Sequence, residues 1–401
     1  MTRILQISPY PIVAPRHGGQ IRVSEIRKYL RHQGCEVLTL SICEPAYSER
    51  DQDNDFVVNL DHEPRPFDMP YGAEIQMARL SVSNLQVQQF LSEKMELFSP
   101  DFIFFEQPWL WPAVQKILST PKFQSAEPKI IYSSQNIESH VKAAILRDHL
   151  LDERKISQFV DEVESLELSL ARAASSIICV TTSDAEYFSQ HSSAAIQICP
   201  NGVEKRALSA PELNEVNSFK RGRTYALFAA SAHPPNAVGF WRMLGPCLAS
   251  IPPSAMIVVV GSVGGILEAY APPEASLYAT ANSGVVQKVG QVSDALLAAL
   301  IWGSSGIIVP ITSGGGSNLK TAEAIASGKP VVATQFACRG FEFSSRLSEF
   351  HICDDQVQFS RVAARIARGE ILAPLPSAEE KSLRQLVYWD NTLKNISQVL
   401  S

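Results

Sequence analysis

Short β-branched and aliphatic runs alternate with amphipathic stretches along the whole chain, the pattern of parallel sheets wound with helices. In the first half, RILQI, EVLTLSI, DFIFF, KIIYS and SIICV predict strands, with a weaker one in IQICPNGV. Between the first two, IRVSEIRKYLRHQG sets Val23, Ile26 and Leu30 at helical spacing and ends on Gly34. Two further helices are expected, within Ala73–Phe98 and within Lys155–Ala174. Glu44 to Tyr71, rich in Pro, Asp and Glu and without periodicity, predicts a long loop with one short strand at FVVNL.

The alternation then pauses in a polar tract, EKRALSAPELNEVNSFKRGR, which reads as an interdomain connection. A second α/β set follows, with strands YALFAA, AMIVVVG, GVVQKVG, GIIVPI and PVVAT and helices opening near Asn236, Ser293 and Ser317. No internal repeat is shorter than a domain. The expected fold class is α/β: two Rossmann-like, doubly wound domains facing a central cleft, residues 1–204 and 205–384. In open α/β sheets ligands sit beyond the carboxyl ends of the strands, so the chemistry is sought there.

Composition narrows the function classes. A chain of 401 residues with 45% hydrophobic content fits two folded domains better than one. Its net charge of -6 offers no footprint for nucleic acid, so any anionic partner should be small. No apolar run reaches the roughly 18 residues that cross a bilayer, and MTRILQISPY reads as a strand, so a cytoplasmic location is expected. Seven scattered cysteines without a CxxC pair predict buried apolar thiols and no structural metal site.

The most informative stretch is ITSGGGSNLKTAEAIASGKPVVAT, Ile311–Thr334. Gly314, Gly315 and Gly316 follow a strand at its carboxyl end, allow positive φ, and let a ligand approach without meeting a Cβ. Ser317 or Asn318 can cap the next helix, whose N-H groups and positive end suit a phosphate. Lys320 in the first turn opposes the helix dipole, and an anion would justify it. Leu319, Ala322, Ile325 and Ala326 predict the buried stripe, with Glu323 beside it, either paired with Lys320 or Lys329 or turned toward sugar hydroxyls. An ordinary strand-to-helix turn with a surface ion pair is the plain alternative.

GGGSNLKTAEAIASGKPVVAT resembles the donor-site motif of GT-B glycosyltransferases, in particular retaining enzymes of glycosyltransferase family four. Four other segments match in order: PYPIVAPRHGGQIRVSEIRKYLRHQGCEV the N-terminal glycine loop and helix, QNIES the HN-x-ES segment, CPNGVE the close of the first domain, and AASAHPPNAVGF the start of the second. YWDNTLKNISQVL is similar to the final helix that crosses back onto the first domain in that fold, which implies a C-terminal helix at about 385–401 returning to the first domain. Three departures stand out. Gly315 occupies the position of the first of two glutamates and Glu323 the second; SAHPPNA replaces an Arg and Lys pair that grips the diphosphate; and Gln135 replaces a histidine.

The resemblance implies a nucleotide sugar, UDP- or GDP-linked, as substrate, with no cofactor and no metal, and a glycan, lipid-linked or small-molecule acceptor. It assigns the donor to Gly18 and Gly19 of the first domain, with Arg22 assisting, and to Gly314, Gly315, Gly316, Ser317, Asn318, Leu319 and Lys320 of the second. Glu323 would bind the ribose and Gly290 would line the base pocket. His233 and Asn236 would reach the donor or merely organise their turn. Gln135, Asn136 and Glu138 would face the acceptor or act as local caps. The anomeric configuration would be retained, the leaving phosphate taking the acceptor proton, so Lys320 and Glu323 are the residues expected to carry catalysis. Arg22, Arg27, Lys28 and Arg31 give the first helix a basic face, read as solvated or as a surface for anionic lipid. Polysaccharide or lipopolysaccharide assembly is the setting the resemblance suggests. A nicotinamide dehydrogenase is disfavoured because AMIVVVGSVGG has GxxGG instead of GxGxxG. An epimerase or phosphorylase of the same fold finds no demand for its special residues, and a non-catalytic sugar-nucleotide-binding protein is the remaining rival.

Overall fold

The computed structural model describes residues 1–61, 72–123, 127–148 and 152–400. Residues 62–71 of the expected long loop lie outside them. The chain divides into two compact units, residues 1–200 with 392–401, and residues 201–391.

Unit 1 runs β1 (Arg3–Ser8), α1 (Gly18–His32), β2 (Glu36–Cys43), β3 (Asp55–Val57), α2 (Ala73–Ser83), α3 (Leu85–Phe98), β4 (Phe102–Phe105), α4 (Trp111–Leu118), β5 (Lys129–Ser133), α5 (Glu138–Asp148), α6 (Glu153–Ala173), β6 (Ser176–Cys179), α7 (Thr182–His191) and β7 (Ala195–Ile198). Its seven strands lie in the order β3-β2-β1-β4-β5-β6-β7, and every pairing is parallel. Helices cover both faces, which is why β4, FIFF, is buried at every position and reads as a continuous apolar run. The span Ala73–Phe98 holds two helices because the Asn84 side chain accepts hydrogen bonds from Gln86 and Val87 amides and starts a new one.

Unit 2 runs α8 (Ala210–Lys220), β8 (Thr224–Ala229), α9 (Pro234–Leu244), β9 (Ala255–Val260), α10 (Ala279–Val285), β10 (Val286–Gly290), α11 (Asp294–Gly303), β11 (Gly306–Val309), α12 (Leu319–Ser327), β12 (Val331–Ala333), β13 (Phe350–Ile352), α13 (Gln356–Ala367) and α14 (Ala378–Gln385). Six parallel strands form the order β10-β9-β8-β11-β12-β13. β9, AMIVVV, is buried throughout, and each such aliphatic side chain contributes about 1.5–3 kcal/mol.

Two expectations need correction here. The polar tract after Val203 is no plain connection: it contains α8, whose Val216 is buried and packs with Leu213 against Tyr225 and Leu300. The expected single C-terminal helix is broken. The amide of Val203 donates to the carbonyl of Val387 and the amide of Trp389 to that of Val203, diverting the groups a continuous helix would need. Beyond α14 the chain therefore makes one turn at Trp389–Thr392 and a 3₁₀ stretch at Lys394–Leu400.

Five of the seven cysteines are buried and two partly so, all as free thiols. Among the described residues no helix is long and apolar enough to cross a membrane.

Candidate functional site

Strand order reverses direction between β1 and β4 in unit 1 and between β8 and β11 in unit 2. Loops leaving the carboxyl ends of such neighbours diverge to opposite faces and open a crevice, the usual ligand position in this kind of sheet.

In unit 2 one wall of the crevice is the segment between β11 and α12. Gly314 and Gly316 have φ of 119° and 59°, left-handed values that penalise a side chain, and Gly315 is exposed. Asn318 is the cap of α12, its Oδ1 accepting from the amide of Lys320 at 3.2 Å. Ser317 is buried, and its Oγ accepts from the amide of Asn201 at 2.8 Å while its carbonyl accepts from Asn201 Nδ2 at 2.8 Å. Asn201 belongs to the PNGV segment, so two motifs far apart in sequence are one structural unit.

Lys320 is half-buried, and its Nζ lies 3.4 Å from Asn318 Oδ1. Lost hydration pushes the ammonium down to about 8, with Glu323 acting against the shift. A cation held so near neutrality gains from any anion beside it. Glu323 pairs with neither Lys320 nor Lys329. Its Oε1 is 2.8 Å from Nη1 of Arg206, a residue of the tract read as a connection. Lys329 donates instead to the carbonyls of Trp302 and Ser304, closing the C-terminal end of α11. The buried stripe of α12 comprises Thr321, Ala322, Ala324 and Ile325, with Leu319 and Ala326 half-buried.

The other wall follows β8. His233 is exposed at the cap position of α9, which lacks a side-chain cap. Asn236 is buried and its Nδ2 donates to the carbonyl of Ser231 at 2.9 Å, the work of a turn organiser. The two walls touch, because a Cβ on Gly239 of α9 would lie 2.1 Å from the carbonyl oxygen of Pro310 after β11. Gly290, at the edge strand β10, has φ of 79° and accepts from the amide of Gly261 at 2.6 Å.

In unit 1 the crevice is built of different material. Gly18 and Gly19 form the first turn of α1, where amides have no intrahelical acceptor, and His17 is the cap. A Cβ on Gly19 would lie 2.3 Å from Tyr10 Oη and 2.8 Å from Gln135 Oε1, so this glycine is required by packing within the unit. Arg22 is not on the solvated face of α1: it is 1% exposed, and burial pushes its guanidinium down against the fields of Cys199 and Glu106. Gln135 is buried, its Nε2 donating to Tyr10 Oη at 2.9 Å and to the carbonyl of Glu106 at 3.1 Å. Asn136 is half-buried and donates to Glu138 Oε1 at 3.2 Å; Gln107 donates to the same oxygen at 3.3 Å.

Two carboxylates that sequence reasoning missed complete this network. Glu106, at the carboxyl end of β4, accepts from Gln6 Nε2 at 2.5 Å; burial raises it to about 7 against the bond from Gln6 and the charge of Arg22. Its signal was present, a charged residue closing the apolar run DFIFF. Glu167 of α6 accepts from Tyr132 Oη at 2.9 Å and from the amide of Glu138 at 3.0 Å, capping α5, and burial plus the charge of Glu138 raise it to about 8. Glu138 itself is raised to about 7 by burial, opposed by Lys142.

No family model matches the chain, and no curated protein matches it. Solved structures do. Sucrose-phosphate synthase from Thermosynechococcus elongatus superposes with a TM-score of 0.67 at 14% identity, over 100% of this chain and 98% of that one. HepE of Anabaena in complex with UDP gives 0.63 at 15% identity, over 100% and 99%. A UDP-forming α,α-trehalose-phosphate synthase from Burkholderia xenovorans gives 0.61 at 15%, over 100% and 99%. At these identities the likeness speaks for the fold, and it spans both units: the chain has the GT-B fold, as its sequence motifs led one to expect.

Proposed function

We propose that the protein is a glycosyltransferase that moves a sugar from a nucleotide-sugar donor to an acceptor hydroxyl. The observation that carries the reading is the β8/β11 switch point, where a bare glycine segment, the N-terminal end of α12 and the ammonium of Lys320 meet. That set offers main-chain donors and one cation to a diphosphate. Proteins of this fold have been captured with UDP, UDP-glucose and UDP-2-fluoro glucose, which supports a uridine nucleotide as the first donor to try and a GDP-sugar as the second.

In this reading the donor belongs to unit 2 and the acceptor to unit 1. Breaking the glycosyl-phosphate bond builds charge on the diphosphate, and donors already oriented toward it stabilise that charge without reorganising. Lys320 and the amides of Gly316 to Asn318 do this. Glu323 accepts from the ribose hydroxyls, and the segment at Gly290 lines the base. The leaving phosphate takes the acceptor proton and the anomeric configuration is retained. Gln135 and Glu138 orient the acceptor. Cytoplasmic glycoconjugate assembly, with contact to a membrane surface through the exposed basic residues of α1, is the setting proposed, with no cofactor beyond the donor itself.

A thermal-shift panel with uridine, guanosine, cytidine and adenosine diphosphates tests the reading, since a ligand selective for the native state raises its melting temperature. A rise with one diphosphate, followed by slow hydrolysis of its sugar conjugate, is the expected result; no shift with any of the four overturns it. Binding without turnover, even with acceptor extracts, would favour the non-catalytic reading, for which Gly315 in place of the first glutamate is the specific motive.

A further inference from the structure

Glu323 is not placed by α12 alone. It falls beside the buried stripe, with a side chain 18% exposed, and its Oε1 lies 2.8 Å from Arg206 Nη1. The other arm of the same guanidinium, Nη2, is 3.5 Å from Asp294 Oδ1, the first residue of α11. Arg206 therefore spans the opening turns of two helices, α12 with the glycine crevice before it and α11 with the Gly290 segment before it. Asp294 is 86% exposed, so that second contact is weak and the bond to Glu323 dominates.

The segment carrying Arg206 is itself immobilised. Asn201 bonds twice to Ser317, Val203 pairs with Val387 and Trp389, and Val203 sits in an apolar cluster with Ala322 and Ile325 of α12. Lys205 lies 5.0 Å over the ring of Tyr388. Three anchored residues within five positions leave the arginine little freedom, so its fork orders the glutamate instead of following it. A surface ion pair between two mobile side chains would lack these anchors.

We propose that Arg206 is a positioning residue for nucleotide selection: it orients the Glu323 carboxylate so that the remaining oxygen meets the ribose hydroxyls, making the protein selective for ribonucleotides over their deoxy analogues. The inference rests on the proposed function and adds to it the residue that sets sugar-ring selectivity in the nucleotide. A carboxylate that accepts hydrogen bonds from two hydroxyls must be aimed at them, and one bond from a guanidinium aims it while occupying a single oxygen. Hydrogen bonds to a charged group are stronger than those between neutral ones, so losing both hydroxyls should weaken binding at least about tenfold.

Titration calorimetry on the full chain, with UDP and GDP each beside its 2′,3′-dideoxy analogue, tests this. Wild type should prefer the ribonucleotide about tenfold or more. Arg206→Gln should reduce that preference several-fold, to the level of Glu323→Gln, and the double variant should lose no more. Arg206→Lys, which keeps charge without the fork, should fall between and serves as the folded control, because a ratio of affinities is unmoved by a change in stability alone. If Arg206→Gln or Arg206→Lys keeps the full wild-type preference, the role of Arg206 is overturned while the proposed function stands. If wild type binds both diphosphates without discrimination, the ribose role of Glu323 falls and this one with it. If wild type binds neither, the proposed function fails first.

Discussion

The two switch-point crevices are built on the same sheet logic from opposite materials. Unit 2 presents glycine main chain, a helix N-terminal end and one lysine whose ammonium is pushed toward neutrality. Unit 1 fills the corresponding place with buried side chains: Gln135 bonds to Tyr10 and to the carbonyl of Glu106, and Glu138 accepts from Gln107 and Asn136. A bare crevice suits a ligand that brings its own charge, because amides and an ammonium need an anion to complete them. A furnished crevice suits a neutral, hydroxyl-bearing ligand that exchanges hydrogen bonds with groups already in place.

The largest effect expected from breaking this contrast is in unit 2. Lys320→Ala should lower transfer about 10²–10³-fold while leaving the melting temperature within a few degrees of wild type; steady-state rates beside thermal denaturation check it. In unit 1 the comparable blow is steric. Gly19→Ala places a Cβ 2.3 Å from Tyr10 Oη and should cost about 1–3 kcal/mol in denaturant unfolding, with part of the loss recovered when Tyr10→Phe removes the hydroxyl.

Two pH experiments sharpen the contrast further. Lys320 carries its charge below about 8 and loses it above, so diphosphate affinity should fall several-fold between pH 7 and pH 9, and Lys320→Arg should move the fall to higher pH. The smallest effect concerns stability. Glu106 and Glu138 at about 7 and Glu167 at about 8 stand above the ordinary 4.5, so the folded state holds more protons than the unfolded one in that window. Stability should therefore decline as pH rises from about 5 to 8, and Glu167→Gln should make the decline shallower.

Much of this was legible in the residues. Strands such as AMIVVV and FIFF are buried on both faces and announce themselves as apolar runs, and the glycine stretch lies at the end of the strand that its pattern predicts. What escaped depends on partners distant in sequence. Helix α8 buries only Val216, too little for an apolar period to show. Glu323 has Lys320 and Lys329 three and six positions away as local candidates, yet its partner, Arg206, lies more than a hundred residues earlier. Gly19 looked like a ligand-facing glycine and is also demanded by Tyr10, a neighbour only in the folded state. The final helix was broken by Val203, whose claim on Val387 and Trp389 no local propensity records.

That pairing of Val203 with the Val387–Trp389 segment stitches together the two places where the polypeptide arrives in unit 2 and departs from it. A module whose two ends are tied side by side behaves as a cassette: it can be lifted out or transplanted without leaving a gap to bridge. Residues 201–391 should accordingly survive excision as an independently folding fragment, whereas removing the last ten residues would strip Ile396 and Val399 from the half that depends on them.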